Sequence, residues 1–204
     1  MTSKLIWLVV FLVISAALTV VIARMPYLPG DVEVTRALQA AAPGDVRWAE
    51  WITTSGRWPW LLLLVAISVV FSLYLSGLAA ALGGLASVAA VWFLDTLLRH
   101  LVFQPRPSSD LVHVIAPQPH GSAFPSTVAL IYVGTFGYLA MIAVLRSSGA
   151  VRWLVAAACI ALLALAAVAR IVPGAHWPSD ILVSYLYGFV VAAILIILVP
   201  RKRR

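Results

Sequence analysis

Six apolar runs, near residues 4–23, 59–81, 84–103, 125–145, 151–170 and 179–199, take up most of this sequence. Each is close to the ~20 helical residues that cross a hydrocarbon core of about 30 Å. A chain of 204 residues that is 63% hydrophobic and 10% charged lies outside the range of soluble domains. The runs therefore predict an all-α integral membrane bundle of six transmembrane helices, forming a single domain over residues 1–204. The first run reads as a span rather than a cleaved signal, because no small-x-small site precedes Arg24-Met25-Pro26.

The distribution of Lys and Arg predicts the orientation. With both termini inside, the inner segments carry Lys4, Arg146, Arg152 and the tail Arg201-Lys202-Arg203-Arg204, with no acidic residue among them. Outside, Arg24, Arg36, Arg47 and Arg57 are matched by Asp31, Glu33, Asp45 and Glu50. The N-in/C-in arrangement makes the basic tail a cytoplasmic anchor that also touches anionic lipid. Segments 24–58, 104–124 and 171–178 are then outer. The net charge of +7 is spread over span ends and tail, so it does not suggest a nucleic-acid partner. The single Cys159 lies within an apolar run and reads as apolar filler.

The outer segment 24–58 predicts one short amphipathic helix. Asp45 suits its cap, Trp48, Trp51 and Ile52 share a face, and Gly56 ends it. Trp48, Trp51, Trp58 and Trp60 read as interfacial anchors.

Three polar clusters interrupt the apolar chain, and all three fall on the outer side. The first is Arg99-x6-Arg106-Pro107. Asp95 lies one turn before Arg99, so the two can pair along the helix without preventing Arg99 from touching a ligand. The second is Phe124-Pro125-Ser126-Thr127, where a helix begins and free N–H groups favour an anion. The third is Arg170-x5-His176-x3-Asp180, joining two spans. Pro178 suits the first turn of the last helix, which places Asp180 in that turn beside His176. A carboxylate on one ring nitrogen fixes the tautomer and leaves the other free to attack. Arginine near a bilayer is expensive and marks a site. Arginines converging with a His/Asp pair are what phosphoryl chemistry requires.

The order and spacing of the clusters among six spans resemble the type 2 phosphatidic acid phosphatase family. Its pattern is Lys-x6-Arg-Pro, Pro-Ser-Gly-His and Ser-Arg-x5-His-x3-Asp, and the resemblance runs from Asp31 to the sixth span. It implies a membrane lipid phosphatase with no cofactor and no metal. His176 would be the nucleophile that forms a phosphohistidine, and Asp180 would orient it. Arg99, Arg106, Ser126, Thr127 and Arg170 would hold the phosphate oxygens. The implied partner is a lipid phosphate in a cytoplasmic membrane, with the site facing outward.

Four positions depart from the pattern. Arg99 replaces Lys, Ala169 replaces Ser, Thr127 replaces Gly, and Val128 stands where the family has the His that protonates the leaving group. A general acid contributes about 10²–10⁴-fold, and a phosphate leaving from a diphosphate needs it least. The loss therefore tilts the substrate toward a lipid diphosphate such as a polyprenyl diphosphate. Alternatively His120, rather than His100 or His113, substitutes as the acid. Transfer of the phosphoryl group to a lipid or sugar acceptor, and binding of lipid phosphate without turnover, stay open as other readings.

Overall fold

The computed structural model describes residues 2–115 and 121–198, the first three of these by backbone only. The expected anchor Arg201–Arg204 and the candidate acid His120 lie outside the described residues, as does the Lys4 side chain. The described chain is helical throughout: α1 (Thr2–Ile22), α2 (Asp31–Ala41), α3 (Arg47–Ser55), α4 (Leu61–Ser76), α5 (Leu78–Leu101), α6 (Thr127–Tyr132), a π-helical turn (Val133–Gly137), α7 (Tyr138–Arg146), α8 (Val151–Ile171) and α9 (Pro178–Leu198). Helix α6, the π turn and α7 form one continuous span.

Among the described residues, five helices are long and apolar enough to cross a membrane: α1, α5, the α6–α7 span, α8 and α9. The second expected run, 59–81, differs. It breaks at Gly77, whose φ of 88° and ψ of −176° suit glycine and few other residues. Helix α4 is left with 16 residues, about 24 Å long, and α5 starts at Leu78 instead of near residue 84. Hydropathy alone hides this turn, because the residues on both sides of Gly77 are apolar.

The α6–α7 span is the centre of the bundle. Small residues bring the neighbouring helices close to it. A Cβ on Gly188 of α9 would fall 1.9 Å from Val133 Cγ1, and one on Gly134 would fall 2.6 Å from Val91 Cγ2 of α5. Close approach through small residues is how helices gain packing where lipid is as apolar as the side chains. The π turn disturbs the backbone ladder, and Ser68 of α4 donates a hydrogen bond to the Thr135 carbonyl at 2.9 Å. Tyr138 reaches across to donate to the Ala80 carbonyl of α5 at 2.9 Å.

Segment 24–58 holds two short helices where one was expected. Helix α3 occupies the predicted place, with the Asp45 carboxylate accepting from the Arg47 N–H at 2.8 Å and Gly56 at its end. Its packed face is Ala49 and Thr53, while Trp51 is 73% exposed and points away from the bundle and Trp48 is half-buried. Helix α2 was not expected. Its Asp31 is 3% exposed and receives the Ser179 N–H at 2.9 Å, the Ser179 hydroxyl at 2.7 Å and the Leu28 N–H at 2.7 Å. An acidic residue of segment 24–58 thus satisfies free donors in the first turn of α9.

Candidate active site

The turn between α8 and α9 carries the third cluster. Gly174 has φ +71°, and a Cβ there would sit 2.6 Å from the His113 carbonyl oxygen, so the turn lies directly against the loop that contains His113. Ile115 N–H donates to the Pro173 carbonyl at 3.1 Å on the same side. His176 N–H donates back to the Arg170 carbonyl at 3.2 Å, which ties the two ends of the turn. Helix α9 then starts at Pro178, and Asp180 Oδ2 accepts the Trp177 N–H at 2.9 Å.

His176 and Asp180 are both buried, with Nδ1 of the imidazole 3.5 Å from Asp180 Oδ2. That distance is too long for a formed hydrogen bond and close enough to become one. Among the described residues, Nδ1 of His176 and Oδ1 of Asp180 have no hydrogen-bond partner. Burial, then the charges of Arg170 and Arg106, push the imidazole well below its ordinary pKa, with the Ala123 backbone acting weakly in the other direction. The ring is therefore neutral at physiological pH, the form in which a nitrogen lone pair is free.

The arginines approach from three elements. Arg106, in the loop after α5, donates to the Ala175 carbonyl at 2.7 Å and to the Ser122 carbonyl at 2.9 Å. It therefore stands beside His176 in space. Burial and the nearby Arg99 hold its pKa below the usual value. Arg170, at the end of α8, donates to the Thr53 hydroxyl of α3 at 2.8 Å. Among the described residues, Nε of both Arg106 and Arg170 is buried without a partner. Buried, unpaired guanidinium donors cost free energy unless an anion meets them.

Arg99 is arranged differently. Its Nε and Nη2 contact the Asp95 carboxylate at 3.1 and 3.2 Å, and Nη2 also donates to the Pro125 carbonyl at 2.8 Å and to Thr127 Oγ1. Thr127 in turn donates to the same carboxylate at 3.0 Å. The ion pair expected along the helix is present, and Thr127 is locked into it. Ser126 is fully buried as the cap of α6, its hydroxyl accepting from the Ala129 N–H at 3.5 Å. Its own N–H donates to Ser184 Oγ at 3.1 Å, and Ser184 donates to the Asp180 carbonyl at 2.6 Å. Both residues of the second cluster thus brace the site, with their polar side-chain atoms already engaged.

Neither described alternative acid faces the imidazole. The ring of His100 is folded back onto the Thr96 carbonyl of its own helix at 2.7 Å. The His113 side chain is exposed, while its backbone is clamped by Gln39 at 2.7 and 3.1 Å. Val128 is buried in an apolar cluster against which Ile52 packs, and a Cβ on Gly56 would lie 3.3 Å from its Cγ1. Sequence reasoning missed Thr53, Asp31 and Ser184 as partners of the site. It also missed Gln104, fully buried beside Ser122 with its side-chain amide unpartnered among the described residues. None of them sits in a motif spacing.

The profile described as the PAP2 superfamily matches residues 61–204, so the chain belongs to that superfamily. Its fold is similar to the crystal structure described as the first transmembrane PAP2 type phosphatidylglycerolphosphate phosphatase from Bacillus subtilis. The TM-score is 0.73 at 16% identity, covering 96% of this chain and 98% of that one. At that identity the likeness speaks for the fold alone. No curated protein matches the sequence.

Proposed function

We propose that the protein is a membrane lipid phosphatase that works through a phosphohistidine on His176, without a metal, and prefers a lipid diphosphate. The observation that carries this reading is the orphaned set around the turn. Buried Nε donors of Arg106 and Arg170 stand with a neutral His176 whose Nδ1 faces Asp180. A phosphate group brings the oxygens that those donors lack. With the proton on Nδ1 toward Asp180, Nε2 carries the lone pair that attacks phosphorus. The bond to the leaving oxygen breaks, and water then cleaves the N–P bond to release phosphate. Developing charge on the equatorial oxygens is met by arginines held in a water-poor site. Arg99, Ser126 and Thr127 act by holding the frame in which Arg106 and His176 meet.

The buried aliphatic Val128 supplies no proton, which favours a substrate whose leaving group needs none. That preference supports a diphosphate, such as a polyprenyl diphosphate, over a monoester. The charge pattern of the spans supports six crossings, with α4 as a short one, both termini inside, and the site at the outer face of a cytoplasmic membrane.

The test is phosphate release by purified protein in detergent containing EDTA, from a panel of lipid mono- and diphosphates. Release from the diphosphates, inhibition by orthovanadate, and loss of turnover of about 10⁴-fold or more in His176→Ala are expected. Undiminished turnover in His176→Ala sinks the mechanism. A protein that binds every lipid phosphate and hydrolyses none is a binding relative instead.

A further inference from the structure

Outside the motifs stands a further cation. Arg57 follows Gly56 at the end of α3, and its side chain is exposed. Among the described residues no carboxylate or other group pairs with its guanidinium. Of the other arginines of segment 24–58, Arg36 donates to the Leu111 carbonyl at 2.8 Å and Arg47 pairs with Asp45, while Arg24, just past the end of α1, is exposed like Arg57.

The end of α3 is fastened onto the site at successive positions. Thr53 accepts from Arg170 at 2.8 Å. Ser55 shares a 2.6 Å hydrogen bond with Tyr132 of α6. Gly56 lies against Val128, with room for a Cβ only 3.3 Å from its Cγ1. Arg57 is the next residue, so it emerges where Val128 and Arg170 meet α3. Arg99 is paired with Asp95, but Arg106, Arg170 and Arg57 meet no carboxylate within ion-pair distance among the described residues, and cations so placed define a place for an anion.

The surroundings define which anion. Trp58 and Trp60 follow at 72% and 57% exposure, marking the depth of the membrane interface. A groove between α3 and α4, lined by Glu50, Trp51, Thr54, Ser55, Trp60 and Leu64, opens beside them; its apolar wall suits a lipid tail, and Glu50 is the one acid on its rim. A lipid whose terminal phosphate reaches His176 must send its tail back to the bilayer. The group between that phosphate and the tail then passes the end of α3.

We propose that Arg57 binds the tail-proximal phosphate of a lipid diphosphate and so makes this site select diphosphates over monoesters. The inference rests on the phosphatase reading given above. In the step it describes, the bond from His176 Nε2 to the terminal phosphorus forms and the bridging P–O bond breaks. The electron pair stays on the bridging oxygen, and the product is a lipid monophosphate whose added charge Arg57 meets. No proton donor is required, consistent with Val128 at this place. A monoester has no second phosphate, so Arg57 has nothing to hold in it.

The experiment compares wild type, Arg57→Gln and Arg57→Lys in phospholipid-free detergent. Turnover is measured on a prenyl diphosphate and the matching prenyl monophosphate. Binding is measured for a non-hydrolysable prenyl methylenediphosphonate and the corresponding monophosphonate. Arg57→Gln should lower kcat/KM and affinity for the two-phosphorus ligands by about 10- to 100-fold, the span for losing charge-assisted bonds. Both one-phosphorus ligands should change less than about 3-fold, within the range of a surface substitution. Arg57→Lys should recover part of the loss. Equal losses on mono- and diphosphates, or none, overturn the inference while leaving the phosphatase reading intact. If wild type hydrolyses nothing, that reading fails, and the binding arm still decides for or against Arg57. If the effect appears only after adding phospholipid, and on both substrates alike, Arg57 holds bulk headgroups and the inference is overturned.

Discussion

The α6–α7 span and the N-terminal helix α1 are both apolar enough to cross a bilayer, yet their surroundings are opposite. In its most apolar stretch the central span is 83% buried within the protein, and α1 only 17%. On α1 the buried positions are Ser15, Thr19 and Ile22, a single stripe turned toward α9. On the central span the buried positions continue around the helix, from Val128 through Ala140. Hydropathy therefore reports that a helix can sit in lipid and says nothing of whether lipid surrounds it. What distinguishes the central span is the size of the residues facing it. Gly188 of α9 faces Val133 and Gly84 of α5 faces the Tyr138 ring, while Gly134 of the span itself lets Val91 of α5 approach. The central span also starts at Ser126, so the same packing that buries it positions the site.

The largest effect expected from this contrast is at Gly188. A methyl group there would overlap Val133, with Cγ1 at 1.9 Å and Cβ at 3.0 Å. Overpacking of this kind costs about 1–3 kcal/mol, sometimes more. Gly188→Ala should lower the thermal unfolding midpoint in detergent well beyond any single change on the lipid face of α1. Combining it with Val133→Ala should recover part of the loss, giving a coupling between the two sites. Strict additivity of the two substitutions would show that the overlap relaxes by another route, and the contrast would lose its physical basis.

Next comes the link between α2 and α9. Asp31→Ala leaves Ser179 N–H, Ser179 Oγ and Leu28 N–H without their acceptor. Buried unsatisfied donors cost about 1–3 kcal/mol each at most, with relaxation and water recovering part. A loss of about 2 kcal/mol is expected, together with lower kcat, because the first turn of α9 carries Asp180. If stability falls and kcat does not, the first turn of α9 holds its shape without α2.

The third expectation uses the His176 imidazole in the turn between α8 and α9. Its pKa in the fold is pushed well below the ordinary value, by burial first and then by Arg170 and Arg106. In the unfolded chain it returns to about 6.5. Below that pH the unfolded state binds a proton that the folded state refuses, so stability is fully present above about 6.5 and declines as pH falls toward the folded value. The slope from this one group is at most about 1.4 kcal/mol per pH unit. His176→Asn should flatten the decline between pH 6.5 and pH 5 in a detergent unfolding series. An unchanged slope would assign the acid sensitivity elsewhere.

The parts of the site that were legible in the sequence are those that depend on near neighbours. Pro178 at the first turn of α9, Asp180 within that turn, His176 ahead of it and Asp95 one turn from Arg99 all follow from helical periodicity. The parts that were not legible depend on contacts between distant segments. Thr53 meets Arg170 across 117 residues and Asp31 meets Ser179 across 148, and neither pairing leaves a trace in local spacing. Thr127 illustrates the same limit. Its position at a helix start suggested a phosphate ligand, but the fold brings Asp95 and Arg99 to its hydroxyl first. Among the spans, five expected helices emerge near their expected bounds. The break at Gly77 stayed hidden because a glycine turn inside an apolar run does not alter its hydropathy.

The smallest effects should fall on α1. Thr19 Oγ1 donates to the Ser15 carbonyl at 2.8 Å, so at 3.1 Å it is Tyr187 of α9 that donates to Thr19. Interhelical hydrogen bonds within membranes contribute about 0.6 kcal/mol on average, because the separated helices find other partners. Thr19→Val should cost about that much and leave turnover unchanged. Leu12, at 45% exposure, looks outward. Leu12→Ala exchanges one lipid-facing apolar surface for a smaller one and should shift stability by less than about 0.5 kcal/mol. The two are measured together with Gly188→Ala, by thermal unfolding in one detergent. If Leu12→Ala is as damaging as Gly188→Ala, the outer face of α1 is covered by another protein surface in the purified state. The low burial of α1 would then describe one chain in isolation rather than a helix that lives in lipid.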